Sequence, residues 1–216
     1  DELRQDQKIE TVGLSSGSPI PYRNVFRNWV LQPGADHKIL ASDNWSNGSF
    51  LTMLEIPLVA GRYFTDAEER AGENKLVVNQ AMAKLIDAKQ DVIGKIIYPD
   101  GDSMAYEIVG VVSDLKIPAG QKIAREEPRS FRSNIENDIE LLIRVKPGQT
   151  LTAVDVNRHA AKVNPEMKAF YFETTEEAFS KYTDAQKTMA GLTAGLSILV
   201  LLLTTIGIYG ILSYSV

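Results

Sequence analysis

The chain has 216 residues, with 23 Lys and Arg against 28 Asp and Glu, and its net charge of -5 is spread over mixed-sign segments. That balance argues against a nucleic-acid surface built on a basic stripe. It contains no cysteine, which excludes disulfides and thiol chemistry, while 44 % apolar residues supply a real core for one large or two small domains.

Residues 1–8 (DELRQDQK) read as the polar end of a helix, and Ile9–Leu14 as a short strand broken by the Ser, Gly and Pro of Ser15–Pro21. Val25–Leu31 is β-branched and aromatic and ends at Gln32-Pro33-Gly34. Ile39–Ala41 begins another strand, followed by a turn-rich patch at Asn44–Ser49 and a short helix over Ser49–Leu54. Thr65 and Glu68 have capping-box spacing and predict a helix start. Phe64 stands where a hydrophobic staple begins, but its partner position is Glu69, so only the box is supported.

Lys75–Val78 reads as a strand that hands over at Asn79, a good N-cap, to a helix at Gln80–Ala88 with Met82, Leu85 and Ile86 on one face. Gly94–Tyr98 and Ala105–Val112 are strands around the hairpin signal Asp100-Gly101. Leu115–Asp138 carries Pro118, Gly120, Pro128 and many charges without a clean period, and reads as a loop. Ile139–Val145 is a strand closed by Lys146-Pro147-Gly148. The helix Ala153–Val163 aligns Ala153, Val156, Ala160 and Val163 and stops at Asn164-Pro165. Lys168–Phe172 reads as the last strand.

The pattern is α+β, with strands and helices in mixed order and no regular βαβα alternation. It suggests two lobes, one from residues 1–60 and 136–176 and an inserted one from residues 61–135. Glu173–Lys187 is polar and helix-prone, lacks Gly and Pro, and predicts a stalk running into the next segment as one rod.

That segment, Thr188–Val216, has no charge over 29 residues in a chain that is 24 % charged. As a helix it reaches roughly 43 Å, against the ~30 Å of a bilayer's hydrocarbon core. Thr193, Ser197, Thr204 and Thr205 interrupt it, but such hydroxyls bond back to their own helix. Tyr209 and Tyr214 sit where an interfacial aromatic belt is expected. The segment therefore reads as a transmembrane helix in contact with lipid. Gly191 and Gly195 form a G-x-x-x-G step, and Gly207 and Gly210 add small residues at which helix backbones could approach closely. The chain opens on Asp1 and stops at this helix, which reads as a fragment of a longer polypeptide.

No catalytic pattern emerges. His37 and His159 lie in different elements without ligand spacing, and His159 reads as a surface or edge residue. A G-x-S-x-G elbow and a phosphate-binding glycine loop are both lacking. Asp100, Asp102 and Glu107 resemble a calcium loop only loosely, and a hairpin turn accounts for them better. Glu68-Glu69 and Glu126-Glu127, with Arg70, Arg125 and Arg129 nearby, read as solvated faces. The expectation is a non-enzyme with no cofactor and no metal, and a tethered hydrolase ranks last.

Several stretches together resemble the extracytoplasmic domain of the MacB/FtsX-type ABC transporter permeases. They are Leu54–Thr65 (LEIPLVAGRYFT), Leu76–Ala81 (LVVNQA), Val92–Lys95 (VIGK) and Tyr106–Asp114 (YEIVGVVSD), with Ile206–Val216 similar to the start of the FtsX-like permease region. The resemblance implies a porter lobe with an inserted sabre lobe outside a bacterial inner membrane, in the periplasm. It implies that Thr188–Val216 is the second membrane helix and that the full-length chain adds three further apolar spans and a basic segment just after Val216. It also implies a cytoplasmic ABC ATPase, a second permease copy, a periplasmic adaptor, and ATP-driven motion passed along stalk helices for efflux or export. An FtsX-like regulator of a cell-wall hydrolase is the alternative that the same resemblance allows.

Overall fold

The computed structural model describes residues 2–16, 25–114, 127–133, 140–169 and 171–214. Two compact units carry them, the first drawn from residues 1–172 and the second holding residues 173–216. The mixed α/β architecture follows the expected class.

In the first unit a 3-10 turn at Leu3–Gln5 leads into strand β1 (Ile9–Ser15), then β2 (Phe26–Val30), β3 (Ile39–Trp45), helix α1 (Gly48–Met53), β4 (Leu58–Gly61) and α2 (Asp66–Arg70). Strand β5 (Lys75–Asn79), helix α3 (Gln80–Ile86), β6 (Ile96–Pro99), β7 (Tyr106–Val112), β8 (Arg129–Arg132), β9 (Glu140–Val145) and α4 (Ala153–Val163) follow. Strands β1 and β9 form a two-stranded antiparallel sheet. The other seven form one sheet in the order β4-β7-β5-β8-β3-β2-β6, and an additional β6–β7 pairing closes six of them into a ring. Closure removes open edges from these six strands and leaves β4 attached outside β7.

Strand side chains alternate between faces, so the ring has an apolar inside and a second apolar face outside. Inside, Trp29, Ile39, Leu76, Val78, Tyr106 and Ile108 pack with Met82, Ala83 and Ile86 of α3. Outside, Val77, Val109, Val112 and Phe131 pack with Phe50 and Leu51 of α1, and Leu142 of β9 leans on that cluster. The Trp29 and Tyr106 rings meet edge to face at 5.4 Å, a favourable quadrupole arrangement.

The local start signals act as expected. Asn79 caps α3 by accepting from the Met82 N–H at 3.0 Å, and Thr65 with Glu68 forms the full capping box of α2. Thr152 and Asp155 form a second box at α4, whose bounds match the expected helix.

Several expectations need correction. Strand β3 continues through Asn44 and Trp45, where a turn was expected, and Asn47 then caps α1 by accepting from Phe50 N at 2.8 Å. Strand β4 was not foreseen. The stretch expected to be a loop contains β8, a fully buried strand between β3 and β5; the rest of that stretch, residues 115–126 and 134–138, lies outside the described residues, as does the break at 17–21. Leu85 is 52 % exposed, so α3 buries Ala81, Met82, Ala83 and Ile86 instead. Val163, at 66 % exposure, runs beyond the core that α4 buries through Val156. Residues 168–169 and 171–172 are not a strand: the Ala169 N–H is donated to the Asn157 side chain at 2.7 Å, within α4.

The expected lobe boundary at residues 60/61 falls at the end of β4, inside the seven-stranded sheet, which takes strands from both sides of it. Pairing of β3 with β8 joins residues that the expected division had separated.

The second unit carries α5, Thr175–Tyr214, a single helix of 40 residues. At 1.5 Å per residue it is about 60 Å long. The Thr174 hydroxyl accepts from Glu177 N at 3.2 Å while the Glu177 carboxylate accepts from Thr174 N at 2.8 Å, so a capping box starts the helix.

Candidate functional site

Three features bear on function: a buried charged core in the ring, the junction between the two sheets, and the apolar stretch of α5.

In the core the Asp43 side chain is completely buried and is held from three directions. One carboxylate oxygen accepts from Ser130 Oγ at 2.7 Å, the other from Arg27 Nε at 2.8 Å and Arg132 Nε at 2.9 Å. Trp29 Nε1 donates to Ser130 Oγ at 3.2 Å, tying the indole to the same cluster. Arg129, nearly fully buried, bonds Glu127 at 2.9 Å, and the backbone N–H of Arg129 is accepted by the Asn79 side chain at 2.8 Å. A buried ion pair contributes little net stability against an apolar replacement, yet losing one partner is costly because a charge is left stranded. The arrangement fixes which strands are neighbours.

At the junction, Leu14 N donates to the Asn47 side chain at 2.9 Å and Leu14 O accepts from Asn47 N at 3.0 Å. Ser16 N donates to Trp45 O at 3.0 Å, and Trp45 N donates to Ser16 Oγ at 3.2 Å. Gly13 lies directly on α1, where a Cβ would stand 2.8 Å from Phe50 Cα. From β9, Arg144 donates to the Met53 carbonyl at 2.6 Å, at the end of α1, and to Glu55 at 2.9 Å. Glu55 takes a left-handed backbone there, with φ 53°. These bonds order the two-stranded sheet against the end of β3 and against α1, and together they leave little freedom to slide.

In α5, Thr188–Tyr209 is long and apolar enough to cross a membrane, and none of it is buried. The four hydroxyls do as expected, each donating to the carbonyl four residues earlier: Thr193 to Met189, Ser197 to Thr193, Thr204 to Val200 and Thr205 to Leu201, at 2.7–2.8 Å. These bonds satisfy the hydroxyls without a partner helix. Gly191, Gly195 and Gly207 face open space. Counting about 100° per residue from Gly191, Gly195 lies about 40° round the helix, Gly210 about 100° and Gly207 about 160°. Gly191 and Gly195 share a face; Gly207 does not.

The remaining polar candidates are dispersed. Asp100 pairs with Lys38, Asp102 accepts from Met104 N at 3.0 Å, and Glu107 pairs with Lys75 at 2.6 Å. Among the described residues no group of three or more His, Cys, Asp or Glu side chains could hold a metal. His37 is exposed between β2 and β3. His159 stands at an edge, with its side chain 13 % exposed and 2.8 Å from Asp6. Glu68, Glu69 and Glu127 are also bonded rather than solvated. Arg62 clamps Glu68 at 2.6 and 2.8 Å and holds its carboxyl down at about 2, assisted by the Thr65 backbone and hydroxyl. Glu69 accepts from Gly48 N at 2.7 Å.

The model of the MacB-like periplasmic core domain matches residues 11–157, which is more than half of the chain and includes both sheets. The chain belongs to the MacB-like periplasmic core domain family. Among solved structures, a domain described as a permease protein from Porphyromonas gingivalis aligns with a TM-score of 0.50 and 17 % identity, covering 76 % of this chain and 72 % of that one. The extracellular domain of the ABC-type transporter YknZ from Gram-positive bacteria aligns at 0.49 and 15 %, covering 73 % and 74 %. The periplasmic region of MacB from Actinobacillus actinomycetemcomitans aligns at 0.47 and 15 %, covering 76 % and 70 %. At these identities the likeness speaks for fold alone. No curated protein matches the chain. The matched residues run from β1 into α4 and take in the closed ring, and α5 lies beyond them.

Proposed function

We propose that the chain is the extracytoplasmic domain and second membrane helix of an ABC-type permease in a bacterial inner membrane, non-catalytic itself. It passes motion from a cytoplasmic ATPase to the outside, for efflux or export. The single observation that carries this is the uninterrupted 40-residue α5, joined in sequence to a domain of the MacB-like family. A helix transmits an axial or rocking displacement only while its backbone bonds are continuous, and α5 has no proline and no glycine before Gly191.

In this reading β1, β9 and α4 form the porter-like lobe and the ring of residues 26–132 the sabre-like lobe. That differs from the division expected from sequence and follows the sheets instead. A second permease copy and a periplasmic adaptor are its partners, and the Gly191–Gly195 face is where another membrane helix packs closest.

The test is a helix break in the stalk of the full-length permease with its ATPase. Ala185→Pro is expected to abolish export while ATP hydrolysis continues, because the mutation cuts transmission and leaves the motor alone. Export at the wild-type rate through that variant would overturn the proposal. Export unaffected by deleting residues 26–132, with a cell-wall hydrolase losing activity instead, would favour the regulatory role.

A further inference from the structure

Strand β3 carries a row of buried polar groups that the fold leaves unpaired. Side chains two positions apart on a strand share a face, so Ser42, Asn44 and Ser46 line the outer side of the ring while Asp43 points into its charged core. All three are at most 1 % exposed. Ser42 Oγ, Asn44 Nδ2 and Oδ1, and Ser46 Oγ have no hydrogen-bond partner among the described residues, and they make four of the five such buried atoms there. Other buried asparagines use their amides: Asn47 accepts from Leu14 N and Phe50 N, and Asn79 donates to Glu127 O while accepting from Met82 N and Arg129 N.

The row lies under cover. On β8, Arg129 stands opposite Ser42 and Phe131 opposite Asn44, and Phe131 packs with Phe50 and Leu51 of α1. At the far end Ser46 pairs with Ser15 across an antiparallel bridge, where the two-stranded sheet meets the ring. The row cannot satisfy itself. Same-face neighbours on a strand are roughly 6.7 Å apart, well beyond the ~3 Å of a hydrogen bond between short side chains. Buried polar groups are nearly always paired, with ordered water where protein offers nothing. Leaving four such atoms bare would cost an amount comparable to the whole stability of an ordinary domain.

We propose that this face is an internal hydration site, with one water molecule between Ser42 and Asn44 and a second between Asn44 and Ser46. Two hydrogen bonds of about 2.8 Å through one water span about 5.6 Å, which closes the gap once the side chains lean together. The chemistry of the set selects water over an ion. Asn44 offers two N–H donors and an acceptor, and each hydroxyl both donates and accepts, so the row complements a neutral molecule that does both. A cation would meet the Nδ2 donors, and an anion the Oδ1 acceptor. The outer face of β3 is then a wet joint beside the dry cluster of Phe131, Phe50 and Leu51.

Crystals of the whole chain grown from lipid test this directly. Two peaks of solvent density within hydrogen-bond distance of the Asn44 amide and of the Ser42 and Ser46 hydroxyls are the expected result. An empty face, or protein groups bonded to those atoms, would overturn the proposal. Urea unfolding of the whole chain in nanodiscs gives an independent readout through the fluorescence of Trp29 and Trp45, its two tryptophans. Asn44→Leu breaks both bridges and should lower the folding equilibrium constant about five- to thirty-fold. Ser46→Ala adds no bulk and should lower it less, in the same direction. A constant unchanged or raised in both variants would mean that dry, unpaired groups had been removed, and would also overturn it.

Discussion

The two sheets of the first unit are stabilised by different physics. The ring closes its strands, buries a large apolar interior against α3, and wraps the fully enclosed Asp43 carboxylate with two guanidiniums. The two-stranded sheet buries few apolar side chains among the described residues, chiefly Ile9 and Val12, with Val156 of α4. It depends instead on backbone and side-chain hydrogen bonds to the end of β3 and to α1, with Asp6 of the preceding segment beside His159 of α4. One region is self-sufficient; the other leans on its neighbour.

The largest effect is expected from breaking the ring's charged core. Asp43→Ala strands two guanidiniums and should cost about 3–5 kcal/mol, a large fraction of the stability of an ordinary domain. Urea denaturation of the first unit measures it, and a loss below 1 kcal/mol would show that the buried charges are not coupled to the fold. Gly13→Val comes next. With a Cβ already 2.8 Å from Phe50 Cα, the substitution must push β1 off α1 at about 1–3 kcal/mol. Hydrogen exchange should rise in β1 and β9 while β5 and β7 stay protected; equal loosening everywhere would contradict the division of labour.

The smallest effect sharpens the ring's acid limit. Glu68 is held at about 2 against an ordinary 4.5, chiefly by Arg62. A lowered folded-state value stabilises above the unfolded value and loses that contribution as pH falls. Stability should therefore decline between pH 4.5 and 2, and Glu68→Gln should flatten the decline while costing about 1–2 kcal/mol at pH 7. Thermal melts across that window would show it, and an unchanged acid slope in the variant would remove Glu68 from the account.

What could be read without coordinates was local. The caps at Thr65 and Asn79 rest on spacings of three residues, and the charge-free run at Thr188 needs only a count. What could not be read was distant. Strand β8, Arg-Ser-Phe-Arg, looks like a polar loop because its burial depends on Asp43, 87 and 89 positions away from Ser130 and Arg132. Ser42, Asp43 and Asn44 look like turn formers for the same reason, although they extend β3. A sheet that takes strands from both sides of residues 60/61 is equally hidden, since no short-range pattern announces that β3 and β8 are parallel neighbours. His159 reads as an edge residue, but its neighbour Asp6, 153 positions away, is not announced by any local pattern.

The central claim is that α5 is one unbroken helix that leaves water partway along its length. Single cysteines from Thr175 to Tyr214, spin-labelled in lipid nanodiscs, test it through their collision rates with oxygen and with a water-soluble nickel chelate. The account predicts chelate access before Thr188, oxygen access from Thr188 to Tyr209, and one helical period through both. Chelate access throughout 188–209, or a break in the period near residue 187, would contradict it.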